Sequence, residues 1–362
     1  MKLMVKRSRL VGIIGFPLFL ALCVGYFLVF SQNLESYDGV TSFFQLALNA
    51  HDHFIYIDAL RSIHDSGFQF GLNNDFGIAA IYTVLGDLMP FLVAPDYVLI
   101  SFIFNCLVLF WCYLFYASVS DRYGLGVLGK LSFFANTYFL YFAQLINKDM
   151  LTVCVLLLAV YSALNKRLLL LVLLLPLMGL IRLQLLVFIP IFVFLMLVRR
   201  PFAWMILAYL GTSLLAGILT VIAPVIGEES LGEGFSAFVV NFNQNYYVGY
   251  VLFNPIRLVQ FVMDAYSSFS FVTDSGDIDV AKILRVPQLL VLLLLIKPLL
   301  SMGFNYSYWL RSPAKPLVIA VFAFLLAWLM NPTVNVRYVM LITPVLVLFA
   351  LYARKNNPRI TQ

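Results

Sequence analysis

Long apolar runs separated by short charged breaks set the pattern of this chain. After a basic lead, MKLMVKRSRL, an apolar run covers about residues 10–30. Others follow at about 97–118, 128–146, 150–165, 168–181, 185–198, 203–225, 286–301, 316–330 and 338–353. A membrane-crossing helix needs about 20 such residues, so the pattern predicts an all-α, polytopic fold of about ten spans, several of them short. The first run resembles a signal peptide in its basic lead, but it is long enough to span and no small-x-small cleavage site follows; it reads as an uncleaved signal anchor.

Two polar stretches interrupt the pattern, at about 31–96 and 226–285. In the first, HDHFIYIDALRSIHDSG has helical spacing, with Phe54, Ile57, Leu60 and Ile63 as an apolar stripe. That periodicity predicts an amphipathic helix lying on the membrane surface, with Asp52 at its start, where free N–H groups favour an anion. Residues 76–94 contain Gly77, Gly86, Asp87 and Pro90 and read as a second interfacial helix rather than a span. The whole chain, 1–362, is then one integral membrane domain.

Composition agrees: 63% of the residues are hydrophobic and 11% charged, against about 25% charged in soluble domains. The net charge of +6 does not point to nucleic acid, because topology accounts for it. With residues 76–94 outside the count of spans, 16 of the 23 Lys and Arg residues fall on one side, together with a single acid, Asp121. The positive-inside rule makes that side cytoplasmic and places both termini there. Cys23, Cys106, Cys112 and Cys154 all lie in apolar runs without metal spacing, and read as packing residues.

Seven cations break the rule by falling on the outer side: Arg61, Lys148, Arg182, Arg257, Lys282, Arg285 and Arg337. Lys148 and Asp149 occupy a tight turn, QLINKDML; Arg182 sits in a short hairpin, LMGLIRLQLL; Arg337 opens the last span. Charges at membrane depth are costly and usually face a partner or a cavity. Three cationic hairpin tips on one face suggest a site for a phosphate or pyrophosphate, with snorkelling to headgroups or pairing with loop acids as the alternative. The first polar stretch holds six acids up to residue 75 (Glu35, Asp38, Asp52, Asp58, Asp65, Asp75) and all three histidines. His51-Asp52-His53 alone cannot chelate a metal, since adjacent side chains point apart. Residues 241–250 mix amides with aromatics, which suits sugar stacking or an interfacial aromatic belt.

These motifs resemble a family. Asp52-x-x-x-Tyr56-x-x-Ala59 followed by Gly67 is similar to the first-loop motif of GT-C superfamily glycosyltransferases, the bacterial relatives of protein O-mannosyltransferases and of the aminoarabinose transferase of lipid A. The likeness continues through FGIAAIYTVLGDL, Asn105, FFANTYFLYFAQLINKDMLTVCVLLLAVY with its acid Asp149, GLIRLQLL, and the closing NVRYVMLITPVLVLFAL. The Asp52 motif lies about 20 residues beyond the first span, further than is usual in the family, so Asp38 is the alternative equivalent. A large soluble C-terminal domain is not part of the pattern either, which leaves acceptor recognition to the membrane part.

The resemblance implies transfer of a sugar from a polyprenyl-phosphate-type lipid donor to a glycan, lipid or protein acceptor at the outer face of a bacterial plasma membrane, in surface polysaccharide or lipopolysaccharide assembly. It implies Asp52 as general base and Asp149 as a second acid that positions the acceptor or a divalent metal. Lys148, Arg182 and Arg337 would hold the phosphate, with Tyr56 and His53 beside the substrate. Inversion by single displacement is the expected course. Two other readings stay open. An O-antigen-type polymerase would use outer cations such as Arg257, Lys282 and Arg285. A lipid-linked glycan transporter or flippase is disfavoured by the absence of internal repeats.

Overall fold

The computed structural model describes residues 2–31, 40–43, 46–67, 74–88, 97–222, 235–267, 269–272, 276, 278–331 and 335–356. The chain is built almost wholly of helices. The first is α1 (Lys2–Tyr26), which widens into a π-helical turn at Phe27–Ser31. A hairpin of β1 (Val40–Phe43) and β2 (Leu46–Asn49) follows, then α2 (His51–Ser66), α3 (Asn74–Leu88) and α4 (Tyr97–Arg122). Next come α5 (Gly126–Phe134), α6 (Phe139–Phe142), α7 (Asp149–Leu164), α8 (Leu168–Leu173), α9 (Leu175–Ile181) and α10 (Leu183–Leu197). The C-terminal part comprises α11 (Pro201–Ile222), α12 (Phe235–Tyr246), α13 (Gly249–Ser267), β3 (Ile278–Asp279), α14 (Val280–Leu294), α15 (Ile296–Phe304), α16 (Tyr306–Arg311), α17 (Lys315–Trp328) and α18 (Val336–Asn356).

Four helical stretches are long and apolar enough to cross a membrane: Leu10–Ser31, Tyr97–Arg122, Pro201–Val221 and Val336–Asn356. A fifth arises if α14 and α15, bent by 62° at their junction, count as one broken span. The remaining apolar runs form shorter elements. The 128–146 run is split between α5 and α6, and the 168–181 run breaks at Leu174 into α8 and α9, while α7, α10 and α17 are apolar helices of 14 to 16 residues. Mean hydropathy does not distinguish a continuous helix from one interrupted by a turn, which is why the runs read longer than the helices they form.

Among lipid-facing helices the hydrophobic effect supplies no association force, so close packing must. Helix α17 shows how: Ala320, Ala323 and Ala327 are fully buried, letting it approach α10 and α18, and Phe324 stacks on Trp328 with centroids 3.9 Å apart. The four cysteines are free, and Cys23 and Cys112 are fully buried, in keeping with packing roles.

Helix α2 falls where its periodicity predicts, and Gly67 (φ 75°) ends it in a conformation that suits glycine. Its buried face differs from the expected stripe by one position. His53, Tyr56, Ala59, Leu60 and Ile63 are buried, whereas Phe54 and Ile57 are only partly covered. The cause is its partner, since α2 packs on α3 through Ile78, Ala79 and Tyr82, not on lipid alone. The strands fix the geometry above the helices. β1 pairs with β2 in antiparallel register, and β3 adds in parallel to β2 (Leu46 opposite Ile278, Ala47 opposite Asp279). This small sheet ties the segment entering α2 to the segment entering α14.

Candidate functional site

Each helix that carries a site residue begins at the site. Asp52 lies in the first turn of α2, and Asp149 is the first residue of α7. Arg182 is the extended residue (φ −165°, ψ 128°) between α9 and α10, and Arg337 is the second residue of α18. The starts are fixed by polar caps. Asn147 Oδ1 accepts the N–H groups of Asp149 (3.1 Å) and Met150 (3.3 Å); Asn335 Oδ1 accepts the Arg337 N–H at 2.8 Å; Asp279 accepts the Lys282 N–H at 3.2 Å at the start of α14. Several positive helix ends thus face one region.

The ionic groups form one network. The Arg337 guanidinium donates to Asp52 Oδ2 through Nη1 and to Asp149 Oδ2 through Nε and Nη2. Arg182 Nη2 donates to the other Asp149 oxygen at 3.1 Å. Asp149 is 0% exposed and Arg182 4%, so this is a buried Arg–Asp–Arg triad with Asp52 at its more open edge, its side chain 42% exposed. Lys148 pairs with Asp75 at 3.5 Å and lies over the Tyr56 ring, 5.6 Å from its centroid. Arg182 Nη1 is sequestered without a hydrogen-bond partner. An orphaned donor on a buried guanidinium is costly, and Arg182 is among the residues that line a polar cavity.

Burial would raise the Asp52 carboxyl, but the adjacent Arg337, by charge and hydrogen bond, together with the charges of Lys148 and Arg182, outweighs it and holds Asp52 below the usual carboxylate range. Burial lowers the Lys148 ammonium, reinforced by Arg182 and opposed by Asp75 and Asp149. The Tyr56 phenol is pushed up, by burial first and then by Asp52.

The turn that presents Lys148 and Asp149 is held from outside. Leu145 adopts φ 47°, unusual for a leucine. Asn105 Nδ2 donates to the Gln144 carbonyl (3.2 Å) and the Leu145 carbonyl (2.9 Å), while its Oδ1 accepts from Tyr82. The Ile146 N–H donates to His53 Nδ1 at 3.1 Å. An amide N–H can only donate, so that ring nitrogen carries no proton here, and His53 serves to tie α2 to the turn.

Two polar cavities adjoin the network. One of about 210 Å³ is lined by Asp52, Tyr56, Asp75, Lys148, Arg182 and Arg337, with Tyr338 at its edge. The second, of about 270 Å³, shares Asp52, Asn335 and Arg337 with the first and extends to Tyr138, Tyr141 and Arg285. An apolar groove of about 460 Å³ runs between α13, α14, α15, α17 and α18, and Tyr338 belongs to both it and the first cavity.

Asp52, Asp149, Lys148, Arg182, Arg337 and Tyr56, named from the sequence, therefore meet in one place, with His53 at its margin. Asp38 lies outside the described residues. Sequence reasoning did not single out Asp75, Asn147, Asn335, Tyr138, Tyr141 or Tyr338. Asn147 and Asn335, each just before an apolar run, carried a cap signal that could have been used. Arg257, another outer cation, is buried elsewhere, donating to Asn254 Oδ1 and to the carbonyls of Leu329 and Asn331. In the 241–250 stretch, Asn243 bridges Gly217 and Gly249 while Tyr246 and Tyr247 are exposed, an arrangement of packing and surface rather than of a site. A divalent ion between Asp52 and Asp149 would have to displace Arg337, and among the described residues no three His, Cys, Asp or Glu side chains come together as ligands. The chemistry below is derived from the side chains alone.

No family model matches the chain, and neither a curated protein nor a solved structure matches it.

Proposed function

We propose that this protein is a membrane glycosyltransferase of the GT-C type, which moves a sugar from a polyprenyl-phosphate-type donor to an acceptor at the outer face of a bacterial plasma membrane. In this reading the shorter apolar helices complete about ten spans with both termini cytoplasmic. Helices α2, α7, α10, α14 and α18 then all start at the outer face, as a shared site there requires.

The observation that carries the reading is the position of Arg337: its guanidinium holds Asp52 and Asp149 together at a polar cavity that shares the lining residue Tyr338 with an apolar groove. A lipid-linked phosphate has both chemistries in one molecule. Its tail belongs in the groove and its phosphate against Arg182, Lys148 and Arg337, which line one cavity. In the reaction the acceptor oxygen bonds to the anomeric carbon and the bond from that carbon to the phosphate oxygen breaks. The electron pair leaves on the phosphate and the acceptor proton passes to Asp52. Cations at the leaving phosphate favour the transition state because charge grows there.

The resting ion pair explains how Asp52 is kept in reserve. Bound to Arg337 it is a weak base, since its carboxyl lies below the usual range. A donor phosphate competes for Arg337 with a charge-assisted hydrogen bond worth about 1.5–3 kcal/mol. Once Arg337 turns to the phosphate, the strongest influence holding the Asp52 carboxyl down is withdrawn and its basicity rises. Donor binding thus precedes and arms the base.

Asp52→Asn tests the reading. The expected result in the parent strain is a lost or truncated surface glycan at unchanged protein abundance in the membrane. Purified Asp52→Asn protein should still bind undecaprenyl phosphate, because Asn leaves Arg337 free for it. A normal glycan from Asp52→Asn would overturn the assignment of Asp52 as base.

A further inference from the structure

The Asp52–Arg337 pair is a wall between two cavities, and the donor uses only one of them. The other, about 270 Å³, is lined on its far side by Tyr138, Tyr141, Asp279 and Arg285. That volume is small for a drug-sized ligand but suits a single sugar ring.

Arg285 differs from the other cations here. Lys148, Arg182 and Arg337 are each ion-paired with a carboxylate, and among the described residues Arg285 is not. Its Nη2 donates to the Tyr138 hydroxyl at 2.9 Å, its guanidinium carbon lies 4.9 Å from the Tyr138 ring centroid, and its sequestered Nε has no partner. Tyr138 in turn stacks on Tyr141, 5.1 Å between centroids and 21° between planes. The guanidinium is therefore aimed by an aromatic pair at a cavity wall, with no carboxylate within ion-pair distance among the described residues and with Asp264 feeling its charge from further off. Desolvating a charge without neutralising it is unfavourable, and a ligand anion relieves that cost. Tyr141 is only partly buried and supplies an aromatic surface beside the cation, the amphipathic surroundings a sugar ring requires.

We propose that this compartment binds the acceptor, through a sugar ring on Tyr141 whose anionic substituent, a carboxylate or a phosphate, pairs with Arg285. The assignment as acceptor site rests on the reading of Asp52 as base. Under it, Asp52 lines both compartments and lies between the acceptor hydroxyl and the donor.

Saturation-transfer NMR on the purified full-length protein in detergent, without any donor, tests this with three probes: methyl β-D-glucuronide, glucose 6-phosphate and methyl β-D-glucoside. At least one anionic probe should give a signal about fivefold or more above the neutral glucoside, as a charge-assisted hydrogen bond warrants. Which one does so tells carboxylate from phosphate. Arg285→Gln should bring it down to the glucoside level, Arg285→Lys should retain part of it, and Arg61→Gln, at an exposed surface pair, should leave it unchanged. If Arg285→Gln is not monodisperse, Tyr141→Ala serves and should lose the signal for all three sugars. Equal signals from all three probes, no signal from any, or a full anionic signal in Arg285→Gln would overturn the compartment. Because no turnover is involved, its failure is separable from that of the transferase reading. A glycan defect in Asp52→Asn without anion-selective binding sinks the compartment alone. A normal glycan with Arg285-dependent binding removes its acceptor role.

Discussion

Asp149 is the residue on which the charge balance of the site turns. It is fully buried, and each of its oxygens is held by a different arginine. Removing one partner from a buried ionic group costs about 3–5 kcal/mol, because the remaining charge is left uncompensated. Asp149→Asn keeps the shape but sets Arg182 and Arg337 against each other. It should lower thermal stability in detergent by an amount in that range, well beyond the effect on a surface residue. The double variant Asp149→Asn/Arg182→Gln should recover part of the loss, giving a coupling of about 1 kcal/mol or more; strictly additive losses would show that the two do not act as a pair. Most of this cluster was legible in the sequence because Lys148, Asp149, Arg182 and Arg337 are rare charges in apolar runs. Arg257 and Arg285 were not separable that way. Both are outer cations beside apolar helices, and only the fold makes one a clamp on backbone carbonyls and the other a wall of a cavity.

Among the elements, α3 and α9 set where the Arg182 break lies. Gly77 of α3 faces the backbone of Leu180, two residues before Arg182, so closely that a methyl group would overlap its carbonyl. Two effects of Gly77→Ala oppose each other. Alanine is better than glycine in a helix by about 1 kcal/mol, whereas forcing extra volume into a packed contact costs about 1–3 kcal/mol. The obstruction is backbone and cannot swing away, so overlap should win. Gly77→Ala is expected to be less stable and to weaken undecaprenyl phosphate binding through displaced Arg182. Gly211→Ala, where added volume meets open space, should not. Stabilisation at Gly77 would show that propensity outweighs the contact. The periodicity of α2 and the start of α7 could be read from the chain, because caps and apolar spacing are local. The break at Leu174 and the one-position offset of the α2 stripe could not, since both depend on which neighbour an element packs against.

At the scale of the whole molecule, the arrangement that gives the site its character is an apolar groove beside a charged cavity, with Tyr338 lining both. No sequence pattern announces it. The groove is contributed by α13, α14, α15, α17 and α18, whose apolar residues look the same whether they face lipid, each other or a ligand. Buried apolar groups on a donor tail contribute about 0.8 kcal/mol per methylene, so a long isoprenoid gains far more from the groove than a short one. Leu292 lines the groove about midway along the α14–α15 pair and is partly exposed, so Leu292→Phe should narrow the groove without adding a polar group to it. Transfer from a full-length polyprenyl-phosphate donor should fall about tenfold, equivalent to about 1.4 kcal/mol. A donor with a ten-carbon tail, which gains less from the groove, should lose much less than the full-length donor. The difference between the two donors is the informative readout, because a general folding defect would lower both. Equal loss with both donors, or loss with neither, would place the lipid elsewhere on the protein and leave Tyr338 as a packing residue between two unrelated hollows.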